Sequence, residues 1–244
     1  MNNDSKIRAD LLSVMKAETL TSESGVPVHC RIYRPGNLAC GEKVPVFLFL
    51  HGAGERGDDN IMQLLHCVPD IMDFVIGEKH PAVIMAPQCP ADMKWVDVPW
   101  GEIMRGMPET PSAPLQTVID ALHTEIESPY ADRSRIYVSG ISMGGYGTWD
   151  LLSRFPALFA AGMPICGGCD ASRAAILKNI PLRTFHGESD DAVPAQGTRN
   201  MVEALKTAGN GNVSYTEFPG AGHDVWTRVY ADHANLRWLF TNSL

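Results

Sequence analysis

Four short stretches of this chain carry residue types suited to nucleophilic acyl chemistry. Ser142 stands in Gly140-Ile141-Ser142-Met143-Gly144, directly after the apolar run RIYVSG. A serine hydroxyl needs a base, and that base needs an orienting acid. Of the eight histidines, only His223 lies in a glycine-flanked loop after the last strand-like run, in FPGAGHDVW. His51 and His186 each precede a glycine at a strand exit, where hydrogen bonding to loop backbone is the better role. For the acid, FHGESDDAVP offers Glu188, Asp190 and Asp191. Asp190 is favoured because it lies past the turn that leaves the strand. Asp191 is the competitor, since an adjacent carboxylate there could equally cap the helix starting near Pro194. An oxyanion needs two open amides: Met143, at the start of a helix after the serine, and Ala53, with Gly54 as its alternative, in His51-Gly52-Ala53-Gly54.

These residues need elements that bring them to one place. Nearly continuous apolar runs occur at 44–52, 81–88, 134–140, 161–168 and 181–188, with further strand-like runs at 26–35 and 212–220. Continuous rather than alternating apolar character suits strands buried on both faces. Helices are expected at roughly 60–77, 113–127, 143–154, 171–178, 194–208 and 225–240. The alternation predicts an α/β fold with a mostly parallel central sheet and helices on both faces. One domain over 1–244 is expected, the first 40 or so residues adding antiparallel edge strands. In such sheets, functional groups gather at the carboxyl ends of strands. The HGAG, Ser142, Asp190 and His223 stretches each follow a strand-like run.

The whole chain bounds what else is possible. Its 244 residues can bury a core without disulfides or metals. A net charge of -8 offers no footprint for nucleic acid or an anionic membrane. No apolar run approaches the length of a membrane span. The first residues lack an apolar leader core, so a cytoplasmic location is expected; an exported protein whose leader has been removed fits the same observation. Six dispersed cysteines suit reduced thiols. Cys166-Gly167-Gly168-Cys169 has no companion pair to complete a zinc site, so no metal is expected. Asp58-Asp59 reads as a helix start. The segment 89–114, rich in proline, methionine and tryptophan, is either a surface loop or the roof of a pocket. Trp95 and Trp226 are candidate pocket residues, and packing is the competing role for both.

G-x-S-x-G alone is a weak signal, but Ser142, Asp190 and His223 follow the nucleophile–acid–base order of the α/β-hydrolases. Taken with LHGAGERGDDN, APQCP and the following Trp95, RIYVSGISMGGYGTW, FPALFAAGMPICGG, FHGESDDAVP and VSYTEFPGAGHDVW, the chain resembles α/β-hydrolases of the phospholipase/carboxylesterase type. It is most similar to the branch of polyhydroxybutyrate depolymerase-like and feruloyl esterase-like enzymes. The resemblance runs from residue 44 to the C-terminus. It implies a serine hydrolase acting on small-molecule carboxylic esters, without metal or organic cofactor. It carries over Ser142, Asp190 and His223 as the triad, with Ala53 and Met143 as oxyanion donors. It also places Cys166 and both glycines after it in a family word at a core-strand end. Short inter-strand segments point to short or soluble esters. A feruloyl or acetyl-xylan ester is the alternative, and a thioesterase or peptidase would use the same triad.

Overall fold

Apolar runs of this kind require cover on both faces, and the observed sheet has it. The computed structural model describes residues 8–23 and 26–244. Residues 1–7, part of the stretch read above as lacking a leader, lie outside the described residues. Among the described residues eight strands form one sheet. They are β1 (Lys16–Leu20), β2 (Val28–Tyr33), β3 (Val44–Leu50), β4 (Val83–Gln88), β5 (Ala131–Ile141), β6 (Ala161–Ile165), β7 (Leu182–Gly187) and β8 (Val213–Phe218). Their order is β1-β2-β4-β3-β5-β6-β7-β8. β1 pairs antiparallel with β2, and β2 with β4; every other pairing is parallel. The fold is that of an α/β-hydrolase, and its antiparallel edge is built from the early segment.

The helices are α1 (Ala9–Val14), α2 (Val68–Met72), α3 (Ala113–Ile126), α4 (Met143–Arg154), α5 (Ala195–Thr207), α6 (Trp226–Ala231) and α7 (His233–Phe240). Every residue of β3 is buried, and its side chains divide by the two-residue strand period. Val46, Leu48 and Leu50 join a core with Leu115 and Val118 of α3, Leu152 of α4 and Leu205 of α5. Phe47 and Phe49 join a second core with Ile71 of α2, Val229 of α6 and Leu236 of α7. Burying side chains of this size contributes roughly 1.5–3 kcal/mol each.

Three expected helices differ. The span 60–77 becomes a 3-10 turn at Met62–Leu64, then α2, then a π turn at Asp73–Gly77. Pro69 has no N–H and fits only a first helical turn, so no helix can run through it. Asp59 accepts the Ile61 and Met62 amides, so it starts this turn rather than a long helix. The span 171–178 is a 3-10 turn at Ala171–Arg173 followed by further i-to-i+3 bonds. The span 225–240 divides at Asp232, whose side chain caps α7 through the Ala234 amide.

β3 lies between β4 and β5, so the chain leaves it in one direction and later continues on its other side. This switch point opens a crevice at the carboxyl ends of β3 and β5. The HGAG loop and Ser142 leave from those two strands.

Candidate active site

Ser142 joins β5 to α4 with φ 52° and ψ -116°, a left-handed strained turn. Its amide donates to the Ile165 carbonyl at 2.9 Å. The turn is possible because its flanks have no side chains: a Cβ on Gly144 would overlap the Leu50 carbonyl, and one on Gly140 would press on Gly144 and Leu50 backbone. Gly144→Ala is therefore expected to force α4 away from β3, lowering the melting temperature by several degrees and kcat with it. Thermal denaturation and ester turnover of the variant check both effects.

His223 closes on the serine. Its Nε2 lies 2.8 Å from Ser142 Oγ, and its Nδ1 lies 2.6 Å from Asp190 Oδ2. The loops carrying Asp190 and His223 are tied together: Glu188 N–H donates to the Phe218 carbonyl, and Ser189 N–H to that of Ala221. The Gly220 amide in turn donates to the Glu188 carboxylate at 2.8 Å. Gly187 permits the approach, since a Cβ there would overlap the Gly222 carbonyl. Burial raises the Asp190 carboxyl pKa, but hydrogen bonds from His186, His223 and the Val193 amide outweigh it and hold the group below the usual carboxylate range. Asp191 is exposed and makes no hydrogen bond to His223 among the described residues.

Ala53 opens the 3-10 turn Ala53–Glu55, and Met143 is the first residue of α4, so neither amide has a partner within its own helix. The HGAG loop borders Ser142: a Cβ on Gly52 would lie 3.6 Å from Ser142 Cβ. His51 anchors that loop from below. Its Nδ1 donates to the Gly52 carbonyl at 2.6 Å, and its Nε2 accepts the Cys89 amide at 2.9 Å. Burial pulls its pKa down to about 4, so the ring is neutral in this tautomer. The unfolded ring takes a proton below about pH 6.5 and the folded one only below about pH 4. The resulting stabilisation is complete above the unfolded pKa and is lost as pH falls between those values. Unfolding free energies from urea titrations should decline over this window by about 2–3 kcal/mol from this group in wild type, and less steeply in His51→Gln.

Trp95 does not line a pocket. It is fully buried, with its indole N–H donated to the His51 carbonyl at 3.1 Å and its ring packed edge-on to His51. The apolar environment under the HGAG loop takes the whole side chain. Trp226 is half-buried, its ring edge-on to His223 at 5.2 Å. Residues 89–114 contribute the buried Trp95 and also Ser112, which caps α3 and donates to the Trp95 carbonyl. The glycines of Cys166-Gly167-Gly168-Cys169 serve packing, since Cβ atoms there would overlap Gly145 and Tyr146.

Two groups near the site were not singled out from sequence. Glu55 is buried with Oε1 3.7 Å from His66 Nε2, and Arg56 donates to the Ala53 carbonyl at 2.9 Å. His186, read as a backbone-bonding residue, does bond the Val193 carbonyl but also touches Asp190. Charged residues so close to HGAG were the available signal for the first two. Cys166, His186 and Asp190 place ligand-type atoms within 4.8 Å of one another. They suit a metal poorly, because burial pushes the Cys166 thiol up to about 12 and both His186 nitrogens are engaged.

A family model described as phospholipase/carboxylesterase matches residues 40–235. A solved thermostable esterase superposes with a TM-score of 0.87 at 35% identity, over 96% of this chain and 64% of that one. A bifunctional acetylxylan esterase/xylanase of Neocallimastix patriciarum is 26% identical over 74% of this chain and 24% of its own length. An uncharacterised secreted protein of Arthroderma benhamiae is 27% identical over 87% of this chain and 25% of its own length. The chain thus spans about a quarter of the curated relatives it matches.

Proposed function

The chain belongs to the phospholipase/carboxylesterase family of α/β-hydrolases, and from that premise we propose that it is a serine carboxylesterase acting on short-chain or soluble esters through an acyl-enzyme on Ser142. The carrying observation is the unbroken hydrogen-bond path from Ser142 Oγ through His223 to Asp190. His223 takes the serine proton as Oγ attacks the ester carbonyl. The amides of Ala53 and Met143 hold the developing oxyanion, helped by the positive end of α4. His223 then protonates the leaving alcohol, and water reverses the sequence to free the acid. Asp190 holds the ring with its hydrogen on Nδ1 and stabilises the imidazolium. Incubation with a fluorophosphonate, followed by peptide mass spectrometry, tests this reading. An adduct on Ser142 is expected, and folded protein left unlabelled there refutes it.

A carbohydrate ester is the second reading, favoured by the acetylxylan esterase among the relatives. A chain-length series of p-nitrophenyl esters run beside acetylated xylan and methyl ferulate separates the two. Faster turnover of the acetyl and butyryl p-nitrophenyl esters supports the first. Matched thioester and anilide substrates test the thioesterase and peptidase readings with the same preparation.

A further inference from the structure

Asp190 Oδ2 faces two histidines, and the mechanism above uses only one. His186, fully buried at the end of β7, has Nε2 3.0 Å from Asp190 Oδ2 and 3.0 Å from the Val193 carbonyl. Both neighbours are acceptors, so Nε2 carries a hydrogen whether the ring is neutral or charged. On the other side, Nδ1 lies 2.9 Å from Thr198 Oγ1, which in turn lies 3.4 Å from the Gly167 carbonyl. When the ring is neutral, the Thr198 hydroxyl donates to Nδ1. Asp190 Oδ1 is filled separately by the Ala192 and Val193 amides, each at 2.9 Å. His186 and His223 therefore share one carboxylate oxygen.

We propose that His186 is a positioning residue for the reaction: its Nε2–H, shared between the Val193 carbonyl and Asp190 Oδ2, fixes the carboxylate and limits how strongly that oxygen draws a proton onto His223. This rests on reading Ser142, His223 and Asp190 as the catalytic array. An oxygen that accepts two hydrogen bonds has less charge to offer each. With His186 withdrawn, Asp190 stabilises the His223 imidazolium more, so the ring stays protonated to higher pH. Catalysis needs that ring neutral, so the acid limb of kcat/KM moves upward.

The other groups facing this trio do not blur the readout. Cys166, from the end of β6, has its thiol pushed up to about 12 by burial. Burial also raises the Tyr146 phenol of α4. Glu217 of β8 is held down by its hydrogen bonds from Arg199 and Tyr215. None of these three changes charge between about pH 5 and 8. Glu188, Asp191 and Asp224 are exposed on the flanking loops.

Two substitutions separate the contacts at His186. A glutamine amide can occupy the Nε2 position, whereas an asparagine amide reaches only the Nδ1 position. In His186→Asn the acid limb for p-nitrophenyl acetate should rise by about 0.5–1 pH unit, with kcat lowered about threefold to tenfold and KM unchanged. His186→Gln should keep the limb within about 0.2 unit of wild type. Two folded variants with the same unshifted limb overturn the proposal, even while Ser142 still takes a fluorophosphonate. If neither variant folds, histidine 15N spectra of the wild type decide: a hydrogen retained on His186 Nε2 is expected, and one on Nδ1 alone overturns it. Loss of wild-type labelling at Ser142 would instead remove the underlying reading.

Discussion

Ser142→Ala is expected to lower kcat for p-nitrophenyl acetate by roughly 10^4- to 10^6-fold, with the fold intact. Removing Oγ takes away the attacking atom and the 2.8 Å contact to His223. The backbone turn needs no serine hydroxyl, because the Ser142 amide, bonded to the Ile165 carbonyl, and the bare flanking glycines hold it. On the proposed mechanism the remaining rate would come from the Ala53 and Met143 amides, which would still polarise a bound ester. Adding His223→Ala should cost little more, since the base has nothing left to deprotonate. A Ser142→Ala enzyme within tenfold of wild type would remove the acyl-enzyme mechanism.

Asp190→Asn should lower kcat by about 10^4-fold, while Asp191→Asn leaves it within about twofold of wild type. The site dictates how the new amide sits. The Ala192 and Val193 amides require an acceptor, so the asparagine oxygen takes the Oδ1 position. Its NH2 group must then face His223 Nδ1, where a carboxylate oxygen stood. That arrangement favours the ring with its hydrogen on Nε2, which cannot accept the serine proton. The NH2 group also meets the hydrogen on His186 Nε2, adding repulsion behind the first defect. Steady-state kinetics of the two variants, with circular dichroism to confirm folding, check the contrast. Equal losses in both would show that the carboxylates act together.

The parts of the sheet legible in the sequence were those that physics writes locally. A run such as VPVFLFL is buried on both faces wherever it goes, and its exit marks a loop. The positions of Ser142, Asp190 and His223 followed from such exits. What escaped depends on distant partners or on fine backbone choices. Trp95 in a proline-rich loop has the composition of a pocket wall, and only its contact with His51, 44 positions away, makes it core. The apolar spacing over 60–77 alone suggests one helix, and only the missing N–H of Pro69 breaks it. Between Asp190 and Asp191 the deciding fact is which way one side chain points after a turn. The spacing of His186 and Asp190 was plain, but the fold-back that brings them together is not encoded in spacing.

The close approach of α4 to β3 at Gly144 has a consequence for how the protein comes apart. Ser142 sits on two core strands and a helix with no side chains between their backbones at the crossing. Its amide should exchange hydrogen only when the whole molecule unfolds. His223 belongs to a mostly exposed loop held by a few bonds to its neighbour. In mild denaturant His223 should therefore depart before Ser142 does. Activity then fades while the serine still occupies its native turn, and returns as soon as one surface loop closes again.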